Sequence, residues 1–446
     1  MTQLFAVHSV YGLATLAAAI DGGLILDQGE RILVPFNSAR VPETTRGIVD
    51  DPALESLRNR FDRVEDLGAL LGAAHPSAWK PRESELPMLE RLLARAWDID
   101  TRELELFVQS PQVAPAKTLM ALFPGARITI VGDGLMTYSP MRIDLPYPVA
   151  ARIVRVVYAD VVPGVRPLVG SPRAETAPVP PELFAPALAE TAEPERIDNA
   201  ASPTVLVLGQ YLSALGLVTP AEELAMQLEM IDRAAGRAPG RIVFKPHPAA
   251  PPTVTHSLKD RASAHGIAFE EYRGPLPAEL LAEHLDARAV VAGFSTALPT
   301  VSTLFGRDIA SVGNREVLAR LSPFENSNRI PATIVDALTR TDSPYADAAR
   351  LQLLIDAVGY AMQPKIAAHL RPRAERFLRG LDANERDRYF APHRLAELRL
   401  PGAPADGPLA RMLRPAGGVG RAEEWRLTAL GAKRRAGRAW RALRGR

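Results

Sequence analysis

The chain has 446 residues and a mass of 48.3 kDa, a length typical of two ordinary domains. Hydrophobic residues make up 47% of it and charged residues 23%, which is typical of a soluble globular protein. The formal net charge of +2 argues against a uniformly basic nucleic-acid binder, so no nucleic-acid partner is expected. The absence of cysteine excludes disulfides, thiolate nucleophiles and Cys-based metal sites. The eight histidines lack metal-binding spacing, so no metal cofactor is expected.

Neither a signal peptide nor a membrane span is predicted. The first residues, MTQLFAVHSVYGL, carry no Lys or Arg before the apolar run. The longest uncharged stretch, 289–306, contains Pro299 and several Ser and Thr residues, which favours a buried strand followed by a helix. The expected location is therefore the cytoplasm.

Short apolar runs alternate with helical patterns along the first half of the chain. The predicted strands there are 4–7, 31–35, 104–109 and 127–131, and the predicted helices are 11–20, 87–97 and 115–123. A segment rich in Pro, Ala and Glu follows at 166–203 and is predicted to be an interdomain connection with one short helix around 181–189.

The second half repeats the alternation. Its predicted strands are 204–208, 241–244, 268–272 and 289–292, and its predicted helices are 220–235, 254–265, 277–285, 345–362 and 371–380. This alternation predicts an α/β protein with two Rossmann-like domains facing a cleft. The predicted boundaries are a first domain at 1–165, the connection at 166–203, a second domain at 204–370, cross-over helices at 371–400 and a Pro/Gly-rich segment with a basic tail at 401–446.

A basic motif follows the second predicted strand of the second domain. This buried strand ends at Phe244, and Lys245, His247 and Pro248 come directly after it. A proline on each side of His247 fixes the local backbone. A cation and an imidazole at this edge can bind a phosphate and protonate a leaving oxygen. The alternative is a surface turn that holds a histidine by chance, as we interpret His75 and its proline.

Three further positions in the second domain suit a nucleotide. Ser295 and Thr296 open a predicted helix, where hydroxyls and free N–H groups bind anions, although simple N-capping explains them too. Gly209 and Gln210 end a strand at the mouth of the sheet, within reach of a phosphate or sugar. Glu279 is a candidate ribose or base contact, or else only a first-turn charge.

The first domain offers one carboxylate at a strand end. Asp133 stands between Gly132 and Gly134, whose small size lets a substrate approach closely. A Gly-Asp-Gly turn without function is the alternative. Ser9 and Tyr11 follow the first strand, at a helix N-terminus that would face the cleft from the opposite side.

The end of the chain is basic and amphipathic. Residues 433–446 contain seven basic side chains and no acidic one, and Trp and Leu are interleaved with cations over 425–446. A helix of this composition suits an anionic membrane surface. A frayed, solvated tail is the alternative.

The motifs, in this order, resemble those of the bacterial sialyltransferase and α-2,8-polysialyltransferase family. The family pattern is an acidic-acidic-Gly motif, then a His-Pro motif, then a Ser/Thr pair, and the matching positions are 132–134, 247–248 and 295–296. Leu135 and Tyr138 resemble the polysialyltransferase branch, and the likeness extends over roughly residues 1–380.

The resemblance implies an inverting, metal-independent glycosyltransferase of GT-B architecture. Its donor would be a CMP-activated nonulosonic (sialic-type) acid held by the second domain, and its acceptor a glycan or lipid-linked surface polymer held by the first. Asp133 would be the base and His247 the acid or phosphate stabiliser, while Ser295 and Thr296 would hold the CMP phosphate. Ser9, Tyr11 and Tyr138 would lie on the acceptor side. The enzyme would work in the synthesis of a capsule or cell-wall polysaccharide, at the inner face of the membrane.

Other functions fit the same pattern. A CMP-Kdo transferase or a CDP-polyol phosphotransferase would also use a strand-end histidine and a Ser/Thr phosphate site. An epimerase acting on a UDP-sugar shares the double-domain fold. A catalytically inactive binding protein is favoured by one feature, Gly132 in place of the first acid.

Overall fold

The computed structural model of the protein describes residues 1–37, 47–192, 202–247, 250 and 255–404. The chain divides into two compact units, Met1–Phe377 and Leu378–Arg446. Both β-sheets lie in the first unit. The basic tail predicted at 425–446 lies outside the described residues. No helix in the described part of the chain is long and apolar enough to cross a membrane.

The first sheet has seven strands, all parallel. They are β1 (Thr2–Val7), β2 (Glu30–Pro35), β3 (Arg63–Val64), β4 (Leu104–Gln109), β5 (Arg127–Val131), β6 (Ile153–Ala159) and β7 (Glu175–Val179). Their spatial order is β3-β2-β1-β4-β5-β6-β7, the doubly wound order of nucleotide-binding sheets.

The helices of this half are α1 (Val10–Asp21), α2 (Glu55–Arg58), α3 (Leu67–Leu71), α4 (Leu86–Ala96), α5 (Ala116–Leu122), α6 (Tyr147–Ala150) and α7 (Pro181–Ala189). Residues 52–54, 76–78, 83–85 and 134–138 form short 3-10 turns. Seven residues of α1, among them Leu13 and Leu16, are buried hydrophobics or glycine, because the helix packs against the sheet.

The second sheet has five parallel strands. They are β8 (Thr204–Leu208), β9 (Arg241–Lys245), β10 (Ala268–Glu271), β11 (Ala289–Ala292) and β12 (Asp308–Ser311), in the order β10-β9-β8-β11-β12. Its core contains Val205, Phe244 and Val291 from three neighbouring strands.

The remaining helices follow the strands of the second sheet or come after it in the chain. They are α8 (Pro220–Ala235), α9 (Thr255–Ala264), α10 (Ala278–His284), α11 (Ala297–Phe305), α12 (Asn314–Arg320), α13 (Arg329–Thr339), α14 (Ala348–Met362), α15 (Arg371–Arg379), α16 (Ala383–Tyr389) and α17 (Pro392–Leu398). The start of α8 combines Pro220 with a capping box between Thr219 and Glu222.

The predicted architecture of two Rossmann-like halves is confirmed. In each sheet, the strand that comes first along the chain lies in the centre. The strand order reverses beside it, between β1 and β4 in the first sheet and between β8 and β11 in the second. In open parallel sheets ligands bind at such switch points, beyond the carboxyl ends of the strands. The topology therefore directs attention to the residues that follow β1, β4, β8 and β11.

The sequence missed β3, β6, β7 and β12. The strand β7 lies inside the segment predicted to be a connection, so that segment contributes the edge strand of the first sheet. Pro178 explains the omission, because proline removes a ladder donor and is tolerated only at sheet edges. The short helix predicted around 181–189 is confirmed as α7.

Side chains from the second half bond to the first. The hydroxyl of Thr303 on α11 donates to the carbonyl of Val161 at 3.0 Å. Gln352 on α14 accepts from the amide of Arg166 at 2.6 Å, so the chain returns to the first half after completing the second sheet.

Candidate functional site

The buried side-chain carboxamide of Gln109 holds the turn from β1 into α1. The Oε1 atom of Gln109 accepts from the backbone N–H groups of His8 and Ser9, at 3.1 and 3.2 Å, and its Nε2 atom donates to the Ser9 hydroxyl at 2.6 Å. That hydroxyl also accepts from the amide of Gly12 at 3.0 Å, which caps the helix. A β-carbon on Gly12 would lie 2.7 Å from Oε1, so glycine is needed for this approach. The hydroxyl of Ser9, a predicted acceptor-side residue, thus fixes the local backbone.

A second pair bridges the switch point of the first sheet. His8 follows β1 and Ser110 follows β4, and the Nε2 atom of His8 lies 3.0 Å from the Ser110 hydroxyl. Burial lowers the pKa of His8, while the negative charge of Asp133 acts in the opposite direction. Sequence reasoning missed both residues as site residues, although each directly follows a predicted strand.

Asp133 lies at the same sheet edge, beyond β5. Its amide donates to the hydroxyl of Thr137 at 2.7 Å, and its side chain is half-buried. Gly134 adopts a left-handed φ of 49°, a conformation that glycine enters without strain. Asp133 and Ser110 line one cavity of about 260 Å³, which Arg142 also borders. The predicted base therefore faces a space into which a substrate group can enter.

Tyr11 connects the two sheet edges. Its hydroxyl is buried beside Thr300 of α11, and burial together with the charge of Glu279 raises its pKa above the ordinary value. Its ring packs against that of Phe184, with centroids 4.9 Å apart. Tyr11 thus lies where the first half meets the second, and its acceptor-side role stays a prediction.

Tyr138 lies in the core of the first half. Its side chain is 0% exposed and packs edge-on against Tyr158, with ring centroids 6.0 Å apart. The 3-10 turn at 134–138 directs this ring into the core, where Tyr138 supports the loop that carries Asp133, and its place on the acceptor side stays a prediction.

At the switch point of the second sheet, Gly209 and Gln210 serve the fold. A β-carbon on Gly209 would lie 2.7 Å from the ring of Phe244. Gln210 is 8% exposed, and its Oε1 atom accepts from the amide of Phe294 at 2.6 Å. This bond ties the end of β8 to the loop before α11, and the nucleotide contact of Gln210 stays a prediction.

The basic motif after β9 carries one half-buried and one exposed side chain. The ammonium group of Lys245 lies 5.0 Å from the ring centroid of Tyr272 and 3.4 Å from the carbonyl oxygen of Gly274. His247 is exposed, and Pro248 lies outside the described residues. The end of β9 therefore places Lys245 and His247 at the sheet edge with different access to solvent.

Glu279 lies in the first turn of α10 and interacts electrostatically with both Lys245 and Tyr11. Burial raises the pKa of Glu279, and the charge of Lys245 lowers it. Glu279 also acts on Tyr11. The charge of Glu279 therefore acts on residues of both halves, on Lys245 in the second and on Tyr11 in the first.

The Ser/Thr pair opens α11, as predicted, with Thr296 in the cap position. The Ser295 hydroxyl accepts from the amide of Ala297 at 3.3 Å, whereas Thr296 makes no side-chain capping bond and is exposed. Ser295 therefore has a local structural role, and the Thr296 hydroxyl stands beside a helix N-terminus of the kind that binds anions. The described residues contain no group of three or more His, Asp or Glu side chains placed to hold a metal ion.

Residues 3–312 match the family model described as Alpha-2,8-polysialyltransferase (POLYST). No curated protein sequence matches the chain.

Among solved structures, a sialyltransferase GT-B domain from Photobacterium damselae is 11% identical, with 75% of this chain and 96% of that chain covered and a TM-score of 0.38. A Thermobaculum terrenum O-GlcNAc transferase mutant is 13% identical, with 87% and 67% covered and a TM-score of 0.36. A UDP-glucosyltransferase from Polygonum tinctorium is 12% identical, with 89% and 98% covered and a TM-score of 0.38.

The family model spans well over half of the sequence, including both the Asp133 loop and the Lys245 motif. The chain belongs to the alpha-2,8-polysialyltransferase family and is a glycosyltransferase, with a nucleotide-sugar donor and a glycan acceptor.

Proposed function

We propose that this glycosyltransferase moves a sialic-type nonulosonic acid from a CMP-sugar to a glycan acceptor, with inversion and without a metal ion. The observation that carries the proposal is the position of Asp133, a half-buried residue that lines the cavity beyond β5. Gly132 has no space for a side chain, so Asp133 is the carboxylate of this motif.

The reaction begins at the acceptor hydroxyl. Asp133 takes its proton while the acceptor oxygen attacks the anomeric carbon of the nonulosonic acid. The bond from that carbon to the CMP phosphate oxygen breaks, and its electron pair leaves with the phosphate. One displacement on the face opposite the leaving group inverts the anomeric configuration. General base catalysis of this kind contributes about 10²- to 10⁴-fold to the rate.

The second half suits the leaving phosphate. Negative charge grows on CMP as the bond breaks, and groups placed at that charge stabilise the transition state more than the ground state. Lys245, His247 and Thr296 supply a cation, an imidazole and a hydroxyl at the carboxyl edge of one sheet. His247 would protonate the departing phosphate oxygen, and Ser295 would join Thr296 in holding the phosphate.

The donor is tested by isothermal titration of the full chain with CMP, CDP and UDP. We expect the tightest binding for CMP, and about tenfold or greater weakening in His247→Ala, because a charge-assisted contact contributes about 1.5–3 kcal/mol. His75→Ala is the matched control, since His75 also precedes a proline and lies in an isolated turn. A preference for CDP, or equal loss in both variants, would favour a CDP-polyol phosphotransferase or remove the donor site from this motif.

A CMP-Kdo transferase would give the same titration. Turnover with CMP-Kdo and not with CMP-N-acetylneuraminate would establish it, and EDTA in either assay tests independence from metal. The inactive binding protein and the epimerase are disfavoured by the family, which is one of glycosyltransferases.

We also propose a role in surface-polymer synthesis at the inner face of the membrane, with a lipid-linked acceptor. Support comes from the sequence of 425–446, where Trp and Leu are interleaved with basic residues. The full chain should bind vesicles containing an anionic lipid, and a variant with glutamine at the seven basic positions of 433–446 should not. Equal binding by both proteins would reject this location signal.

A further inference from the structure

Ser110 has an unusual backbone. Its φ is 55°, in the left-handed region that residues other than glycine seldom occupy. The other described non-glycine residues with positive φ, Asp98, Ala238, Asp286 and Arg399, lie in turns that follow helices. Ser110 instead directly follows β4, a central strand of the first sheet. Backbone strain of this kind persists where the surroundings enforce it, and it is concentrated at functional sites.

The Ser110 hydroxyl is fixed by its neighbours. The Nε2 atom of His8 lies 3.0 Å away, and the backbone of His8 is held in turn by the Oε1 atom of Gln109, the residue that precedes Ser110. The His8 ring packs on Phe36, with ring centroids 5.4 Å apart. Both partners of the hydrogen bond are therefore held in place before any ligand arrives.

The pair also lies at the position where a ligand is expected. It spans β1 and β4, between which the strand order of the first sheet reverses. Ser110 lines the same cavity as Asp133, which follows the adjacent strand β5. The three strand ends thus present an imidazole, a hydroxyl and a carboxylate side by side.

We propose that Ser110 binds the acceptor glycan by a hydrogen bond to one of its sugar hydroxyls, next to the sugar hydroxyl that Asp133 deprotonates. His8 is the positioning residue for Ser110. The inference rests on the proposed function and adds to it a contact on the acceptor side. Ser110 donates its proton to the neutral His8 imidazole, and its oxygen accepts from a sugar hydroxyl. Burial keeps His8 neutral by lowering its pKa, against the effect of Asp133.

The test uses the full chain, CMP-N-acetylneuraminate as donor and an α-2,8-linked sialic acid trimer as acceptor. In Ser110→Gly the hydroxyl is lost while glycine adopts the same φ without strain, so the melting temperature should be unchanged. The acceptor KM should rise about three- to tenfold, the range expected for one hydrogen bond. The donor KM and the slow hydrolysis of donor without acceptor should not change.

His8 is tested by a matched pair. His8→Gln places an amide within reach of the Ser110 hydroxyl and should keep an acceptor KM close to that of the parent protein. His8→Ala should raise the acceptor KM as much as Ser110→Gly does, and the double variant should show no further rise.

An unchanged acceptor KM in Ser110→Gly would overturn the inference, as would a parallel loss of donor hydrolysis, which indicates a structural role. Failure of the parent protein to cleave the CMP-sugar at all would instead reject the proposed function itself. Cleavage by the parent with an unaltered Ser110→Gly variant rejects only the acceptor contact.

Discussion

Gly132 packs so closely on Tyr158 that a β-carbon on Gly132 would lie 2.5 Å from the β-carbon of Tyr158. The same β-carbon would lie 2.8 Å from the hydroxyl oxygen of Thr137, which accepts the amide hydrogen of Asp133. An acidic side chain at position 132 is incompatible with this packing. The loop therefore presents one carboxylate, and its direction depends on the glycine before it.

Substitution of Gly132 should destabilise the fold. We expect Gly132→Ala to lower the free energy of unfolding by about 1–3 kcal/mol, because the added methyl group overpacks a closed site. Gly236→Ala is the control, since its β-carbon would meet nothing closer than 3.6 Å and its backbone is right-handed. Urea unfolding measures both, and equal stability of the two variants would contradict the packing described here.

Removal of the Asp133 charge should abolish transfer and leave donor binding intact. Asp133→Asn should reduce the transfer rate by about 10²- to 10⁴-fold, since the amide cannot accept the acceptor proton. CMP affinity measured by titration should stay within about twofold, a change far below the 1.4 kcal/mol that corresponds to tenfold. Asp144→Asn, at an exposed position in the same half, is the control. Retention of transfer in Asp133→Asn would require a different base.

The link between β8 and α11 is testable through Gln210. Gln210→Ala removes the acceptor of the Phe294 amide and should cost about 1 kcal/mol of stability. Gln28→Ala, at an exposed position, should leave stability unchanged. If Gln210→Ala lowers CMP affinity strongly and leaves stability intact, Gln210 contacts the nucleotide as the sequence predicted.

Glu279 should give a recognisable pH dependence. The pKa of Glu279 in the folded protein is raised above the ordinary value of 4.5. Between pH 4.5 and this raised pKa, the folded state therefore binds more protons than the unfolded state. The stability that Glu279 contributes is therefore fully present below pH 4.5 and is lost as the pH rises through the folded pKa. Compared with Glu279→Gln, the parent protein should lose free energy of unfolding over that window. Urea titrations from acid to neutral pH measure the difference, and a difference that is constant or rises with pH would contradict the raised pKa.

The sequence was most informative where burial is complete. Central parallel strands such as Leu104–Gln109 and Thr204–Leu208 are buried throughout and mostly apolar, and their predicted bounds match the structure. The edge strand β7 escaped detection because Glu175 and Pro178, its two exposed residues, give it the composition of a linker. Because these central strands are buried, the sequence also indicates where they end, so Asp133 and Lys245 could be selected.

What a side chain does at a strand end depends on contacts distant in sequence. Nothing local distinguishes Tyr138, which turns into the core, from Tyr11, which lies between the two halves. The bond between His8 and Ser110 joins residues 102 positions apart, and Gln210 meets Phe294 across 84. Such pairings can be predicted only when the order of the strands is known.

Product analysis of the full chain with CMP-N-acetylneuraminate and the α-2,8-linked trimer, in the presence of EDTA, is the decisive experiment. We expect release of CMP together with an elongated acceptor whose new linkage has the anomeric configuration opposite to that of the donor. An elongated product of retained configuration, a requirement for added metal, or turnover only with CMP-Kdo or a CDP-polyol would contradict the proposed reaction.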